Sequence, residues 1–338
     1  MSRRRGVWWD AVTGVVTDRG QLEPELEKYR VELTGYCYRM LGSAFEAEDA
    51  VQETMIRAWR SLDRFEGRSQ LRSWLYKIAT NVCYDMLNGK QRRARPVDLG
   101  SPSAGNAVLP EPTAEATWLT PVPDGQVLPS GDPAELAVGK ESIRLAFVAA
   151  LAHLPPKQRA VLILREVLRW KAEEVAQLLE TSVASVNSAL QRARATLAAS
   201  DVSDLDAGAP VDPDDEDLVR KYADAFERYD MDALVSLLSD DARFSMPPFS
   251  LWFKGGDDIA TFMLTTGSAC RGSKLLPTTA NGLPAFGHYK PAEEGRTGFD
   301  PWSLLVLELS EGKVAGITHF LDTPRLFPLF GLPERLEA

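Results

Sequence analysis

Residues 96–139 carry eight of the chain's 22 prolines, six Asp/Glu and not one Lys or Arg. Proline fixes its own φ and withholds a backbone donor, so a stretch this rich in it extends neither a helix nor a central strand. With little apolar patterning to offset the entropy of ordering, such a segment builds no core of its own. It is also longer than the connections found inside compact domains. The 338-residue chain therefore reads as separate folded parts joined by a flexible acidic linker over 96–139. A second base-free stretch begins at residue 200 and holds eight acids before Arg220, so residues 200–215 read as a second acidic linker.

The linkers change what the net charge of −10 means. Taken whole, that charge argues against a nucleic-acid partner. Divided at the linkers, residues 1–95 carry 17 basic and 13 acidic side chains and residues 140–199 carry nine and five, each a net of +4. The first linker is at −6, and residues 200–338, with 12 bases against 24 acids, are at −12. Two mildly basic blocks alternate with two acidic ones.

Residues 1–20 form an N-terminal extension. Arg3-Arg4-Arg5 before Val7-Trp8-Trp9 resembles the start of a signal peptide, but Asp10 and Asp18 interrupt any apolar core. No run reaches the roughly 18 apolar residues of a membrane span. The three cysteines, Cys37, Cys83 and Cys270, lie far apart without CxxC spacing, so neither a metal site nor a disulfide framework is expected. A cytoplasmic protein without cofactors is the expectation.

Residues 21–95 read as helical. Ser43 and Glu46 have the spacing of a capping box. The helix after them puts Ala50, Val51, Thr54, Met55 and Ala58 on one stripe, and Asp49, Gln52 and Glu53 on another face. A second helix from Ser69 carries the apolar stripe Leu71, Leu75, Ile78, Ala79, Val82 and Met86, and Lys90, Arg92, Arg93 and Arg95 follow it. Residues 140–199 return to helix over Glu141–Ala152 and from Pro156 to about Leu168. Lys171–Leu179 and Val183–Ala198, joined by three residues, then suggest a helix-turn-helix. In its last helix Val183, Val186, Leu190 and Leu197 make the buried stripe, with Ser185, Ser188, Gln191 and Arg192 facing away.

Residues 216–338 change character. Two helices precede a short strand at Ala242–Met246, a helix lies near 257–264, and Trp302–Leu309 with Val314–Leu321 read as a hairpin. Helices first and an antiparallel sheet after is an α+β pattern. On the last strand Ile317, His319 and Leu321 share a face. His288 falls in a loop-like stretch.

The string Asp49-Ala50-Val51-Gln52-Glu53, followed by Gln70-Leu71-Arg72-Ser73-Trp74-Leu75-Tyr76-Lys77-Ile78-Ala79-Thr80-Asn81 and the basic run, resembles region 2 of the extracytoplasmic-function group of sigma-70 factors. The helix-turn-helix, with Glu174-Val175-Ala176-Gln177-Leu178-Leu179 and Arg192-Ala193-Arg194, resembles region 4. The resemblance implies two all-α sigma domains, 21–95 and 140–199, that bind core RNA polymerase and promoter DNA. It implies polymerase contact through Asp49, Gln52 and Glu53. Trp74, Lys77, Asn81, Arg92, Arg93 and Arg95 would recognise and open the minus-ten element. Ser185, Asn187, Ser188, Gln191, Arg192 and Arg194 would reach the minus-thirty-five element. These residue types suit the task, because aromatic faces and a basic groove capture single strands, and a helix in the major groove reads base edges. Glu180 departs from the family, standing where such turns usually carry Gly.

Residues 216–338 resemble the cone-shaped SnoaL-like group of the ketosteroid-isomerase-like fold. That fold commonly encloses an apolar pocket, for which Trp252 and His319 are the candidates, with a small hydrophobic ligand as a possible occupant. A structural histidine is the plainer reading of His319, since no convincing general-base pair accompanies it. The function implied is transcription initiation without catalysis, with the acidic C-terminal domain regulating in cis. A small-molecule sensor or a SnoaL-type enzyme domain fused to a DNA-binding regulator is the alternative.

Overall fold

The computed structural model describes residues 24–62, 70–129, 133–199, 213–293 and 295–337. The N-terminal extension, the expected helix start at Ser69 and residues 200–212 of the second linker lie outside them.

The first helical body packs α1 (Arg30–Leu41), α2 (Ala44–Ser61) and α3 (Leu71–Leu87) together. Helix α1 ends at Gly42, whose φ of 72° reverses the chain directly into α2. Ser43 caps α2 by accepting a hydrogen bond from the Glu46 N–H at 3.4 Å. The reciprocal half of the capping box is absent: the Glu46 carboxylate instead binds Lys90 at 2.7 Å and Arg93 at 2.9 Å. Helix α2 buries Ala47, Ala50, Val51, Thr54 and Ala58, the stripe read from the sequence save Met55, which is half-buried.

The acidic linker is not a free tether. Residues 94–128 form a strap laid across the molecule. Ala94 pairs with Trp118 in a β-bridge, and Trp118, Leu119, Val122 and Val127 are buried. The short helix α4 (Asp124–Val127) lies so close to α1 that a Cβ at Gly35 would stand 2.6 Å from the Val127 carbonyl oxygen. Composition misled here because the strap makes no ladder or long helix of its own. Its few apolar residues fill gaps between other bodies, so they follow no period.

The second helical body comprises α5 (Pro133–Glu141), α6 (Leu145–Ala152), α7 (Pro156–Leu162), a π-helical turn at Ile163–Val167, α8 (Ala172–Leu178) and α9 (Val183–Ala199). The continuous helix expected over Glu141–Ala152 is broken at Ser142-Ile143-Arg144. Arg39 of α1 reaches into that break and donates to the Ser142 carbonyl and hydroxyl at 2.6–3.2 Å. On α9, Ala189 and Ala193 are buried along with Val186 and Leu190, while Val183 is exposed.

The C-terminal body has the expected α+β architecture. Helices α10 (Pro213–Arg228) and α11 (Met231–Ser236) precede β1 (Leu238–Ser245), β2 (Trp252–Lys254) and α12 (Gly256–Leu264). Strands β3 (Lys274–Ala280), β4 (Leu283–Pro291), β5 (Phe299–Ser310) and β6 (Lys313–Phe320) follow, then α13 (Thr323–Leu329) and a tail whose Leu336 bridges back to Phe299. The sheet order is β2-β1-β6-β5-β4-β3, antiparallel except where β1 meets β6. The β3–β4 hairpin was missed in the sequence although its turn is Asn281-Gly282, with φ of 57° and 73°. His288 consequently sits buried on β4, not in a loop.

Side chains alternate across the sheet, so its two faces serve different cores. One face, with Phe244, Phe286, Leu305, Leu307 and Ile317, closes on Phe226 and Phe262 of the domain's own helices. The other, with Ala285, Tyr289, Leu304, Val306 and Phe320, belongs to a core that runs through α13, the strap and both helical bodies.

Candidate functional site

The outer face of α2 presents Asp49 and Gln52 to solvent, while Glu53 is half-buried and accepts from Arg57 at 2.7 Å. Further along the same face, Ile56 and Trp59 are 37% and 42% exposed. The sequence reading missed both. The signal was a helix with apolar residues on the face opposite its buried stripe.

Helix α3 carries the expected strand-opening residues, and the second helical body covers part of it. Lys77 donates to Glu180, in the turn between α8 and α9, at 2.6 Å. Trp170, buried ahead of α8, packs against Tyr76 with ring centroids 5.0 Å apart. The Arg72 guanidinium lies 5.4 Å from the Tyr76 ring and 5.2 Å from Trp170, and is held bidentate by Glu32 at 3.0–3.1 Å. Trp74 is half-buried against the shared core and Asn81 is exposed. The basic run is tied down within the chain. Arg92 meets His153 Nδ1 at 2.7 Å, and Arg93 donates to the Trp118 carbonyl at 2.7 Å. Arg95 pairs with Asp98 at 3.0 Å.

On α9, Asn187, Ser188, Gln191 and Arg192 form an exposed face, with Ser185 half-buried at its start. Arg194 is bound to Glu166. Glu180 takes a φ of 51°, the left-handed conformation that its glycine-like position demands. The Lys77 ammonium beside it holds its carboxyl below the usual carboxylate range.

Where the two helical bodies meet, two guanidiniums are buried. Arg39 bonds Ser142, and Arg159 of α7 donates to the carbonyls of Met40, Ala152 and Leu154. Among the described residues neither has a carboxylate partner, and burial pushes each down to about 10. Charges in such settings are costly to desolvate.

Neither ligand-pocket candidate lines a described cavity. Trp252 is buried and donates from Nε1 to the Gly100 carbonyl of the strap at 2.9 Å. His319 is buried among Phe226 and Phe244, with Nδ1 at 2.8 Å from the Ser303 hydroxyl. That hydroxyl also meets His288 Nδ1 at 3.2 Å, and His288 Nε2 meets Ser273 at 2.9 Å. Burial, with Lys290 nearby, pushes His319 down to about 3. Aromatic rings fill the cone around it, and its Nε2 has no hydrogen-bond partner among the described residues. The described cavities lie elsewhere. One of about 530 Å³ separates the second helical body from β1, β5 and β6. One of about 430 Å³ lies between Phe45, the strap and α13. Among the described residues no helix is long and apolar enough to cross a membrane.

Comparison with known proteins matches residues 26–93 to Sigma-70 region 2, residues 144–197 to Sigma-70 region 4 and residues 216–285 to the nuclear transport factor 2 (NTF2) domain. The chain is 44% identical over 321 residues to the ECF RNA polymerase sigma factor SigG of Mycobacterium tuberculosis, covering 94% of this chain and 85% of that one. It is 28% identical to SigJ of the same organism, covering 92% and 95%. The crystal structure of Mycobacterium tuberculosis SigJ superposes with a TM-score of 0.58 at 24% identity, over 92% of this chain and all of that one, which shows a shared fold. The chain belongs to the extracytoplasmic-function sigma-70 family of RNA polymerase sigma factors, with an NTF2-like domain after region 4.

Proposed function

We propose that this sigma factor is held closed by its own C-terminal domain, and that the closed form ties down Lys77 and the basic run while leaving the polymerase-gripping helix exposed. As a sigma factor the protein binds core RNA polymerase and directs promoter recognition and melting. The polymerase contact falls on Asp49, Gln52 and Glu53, extended by Ile56 and Trp59. Exposed aromatic and apolar side chains beside polar ones are the usual anchors of such surfaces. Promoter contact falls on Trp74, Lys77 and Asn81 of α3 and on Ser185, Asn187, Ser188, Gln191 and Arg192 of α9. Arg92, Arg93, Arg95 and Arg194 join them only after their present contacts break.

The carrying observation is the seat of region 4 on α3: Glu180 holds Lys77, and Trp170 packs on Tyr76. Trp170 and Glu180 thus occupy the side of α3 next to Lys77. The NTF2-like domain supports this arrangement because one face of its sheet shares a core with both sigma domains. The domain is assigned no catalysis, since the His288–His319 network is enclosed and neither histidine lines a described cavity.

Reconstitution of the full chain with core polymerase tests the contact surface. W59A should weaken polymerase binding by about 2 kcal/mol and D49A by less, without loss of thermal stability. Unchanged affinity in both would sink this assignment.

A further inference from the structure

The tip of the β3–β4 hairpin reaches out of the C-terminal domain and ends where three other parts of the chain meet. Asn281 is fully buried there. Its Nδ2 donates to the Tyr38 hydroxyl of region 2 at 2.7 Å and to the Ile143 carbonyl, ahead of α6, at 2.6 Å. Its Oδ1 accepts from the Val122 N–H of the strap at 3.0 Å, and its own N–H donates to the Val122 carbonyl at 3.0 Å. The neighbouring Gly282 N–H donates to Asp124 of the strap at 2.7 Å. A Cβ at Gly282 would stand 2.8 Å from Cβ of Lys140 in α5. Tyr38 in turn donates to the Thr120 carbonyl of the strap at 2.9 Å.

We infer that the Asn281-Gly282 turn is the latch through which the C-terminal domain holds regions 2 and 4 together. The inference deepens the closed-state reading and rests on it. The chemistry of the position is narrow. The residue must tolerate a φ of 57° and offer two donors and an acceptor from one side chain, which asparagine does. Aspartate keeps the shape but has no donor and turns a carboxylate oxygen toward the Ile143 carbonyl. Glycine keeps the turn and loses every side-chain bond.

The rest of the interface explains why a latch is needed. Ile143 adjoins Ser142, which receives Arg39, so the latch and a buried guanidinium grip adjacent residues of one turn. Arg39 and Arg159 enter that interface without a carboxylate among the described residues, so the junction of regions 2 and 4 carries a desolvation cost. The hairpin tip adds satisfied bonds to both sides of it.

The test uses the full chain with spin labels on cysteines introduced at exposed Arg60 and Ala195, the native cysteines being buried. Pulsed dipolar spectroscopy reads the spacing of regions 2 and 4. The native latch should give one narrow distance. N281G should raise the open population about tenfold to a hundredfold for three lost hydrogen bonds. N281D should do at least as much, and Tyr38→Phe, which removes one acceptor, should do less. Melting curves confirm that each variant is folded. Narrow native distances in both Asn281 variants would overturn the latch. Promoter-dependent transcription with core polymerase is measured in parallel. Opening with increased transcription supports latch and closed-state reading together. Opening with unchanged transcription supports the latch and contradicts regulation by closure.

Discussion

Single residues in this protein are placed by what they must satisfy, and several promised one task and perform another. Arg93 and Arg95 sit in a basic run that suggests phosphate contact, yet each is held by the chain, on Trp118 and on Asp98. Sequence gives the charge of a side chain but not the carboxylate or carbonyl that the fold brings to it. His319, expected to be a structural histidine, lies buried among aromatic rings with its Nε2 unpartnered among the described residues. His288 and His319 stay neutral inside the cone, His319 with its pKa pushed down to about 3. A histidine lowered in this way binds its proton only after unfolding. Folding stability is therefore full above the ordinary value near 6.5 and falls as pH drops toward 3, by about 1.4 kcal/mol per unit for each histidine. Urea midpoints between pH 7 and 5 should show this slope, and H319Q should flatten it by about half. An unchanged slope would place the titrating groups elsewhere.

Elements were legible in proportion to their periodicity. Helix α2 showed its buried stripe through residues three and four apart, and β5 and β6 showed themselves through long apolar runs around a Glu-Gly turn. The hairpin β3–β4 was overlooked because Pro277 and Pro284 interrupt its strands, although Asn281-Gly282 is a strong turn signal. The helix expected over Glu141–Ala152 broke where Arg39 arrives from α1, a long-range contact that no local pattern announces. The strap is the largest misreading. Trp118 closes it against Ala94 in a bridge and buries its ring beside bodies distant in sequence. Trp118→Ala should destabilise the chain by about 3–5 kcal/mol, as truncation of a buried aromatic does, and should loosen 94–128 first in hydrogen exchange. A loss below 1 kcal/mol would restore the flexible linker.

At the scale of the whole molecule, charge segregation and shared burial act together. The basic blocks coincide with regions 2 and 4, while the acid falls in the strap and the C-terminal domain, which share a core with them. Region 4 covers α3 through Trp170 and Glu180, and the Asn281 turn joins the sigma domains to the NTF2-like domain. On the proposed reading a promoter competes with region 4 for α3, whereas core polymerase grips the exposed α2 in either form. The order of the modules was visible in the sequence; their closure was not, because it depends on contacts more than a hundred residues apart. The central claim is that promoter opening requires region 4 to leave α3. Cysteines introduced at Ser73, one helical turn before Lys77, and at Glu180 of the full chain, joined by a cleavable bismaleimide, would fix that contact. With core polymerase, the tethered protein should still bind the enzyme yet give no promoter-dependent transcript, and cleaving the tether should restore it. Equal transcription from the tethered and cleaved forms would contradict the account.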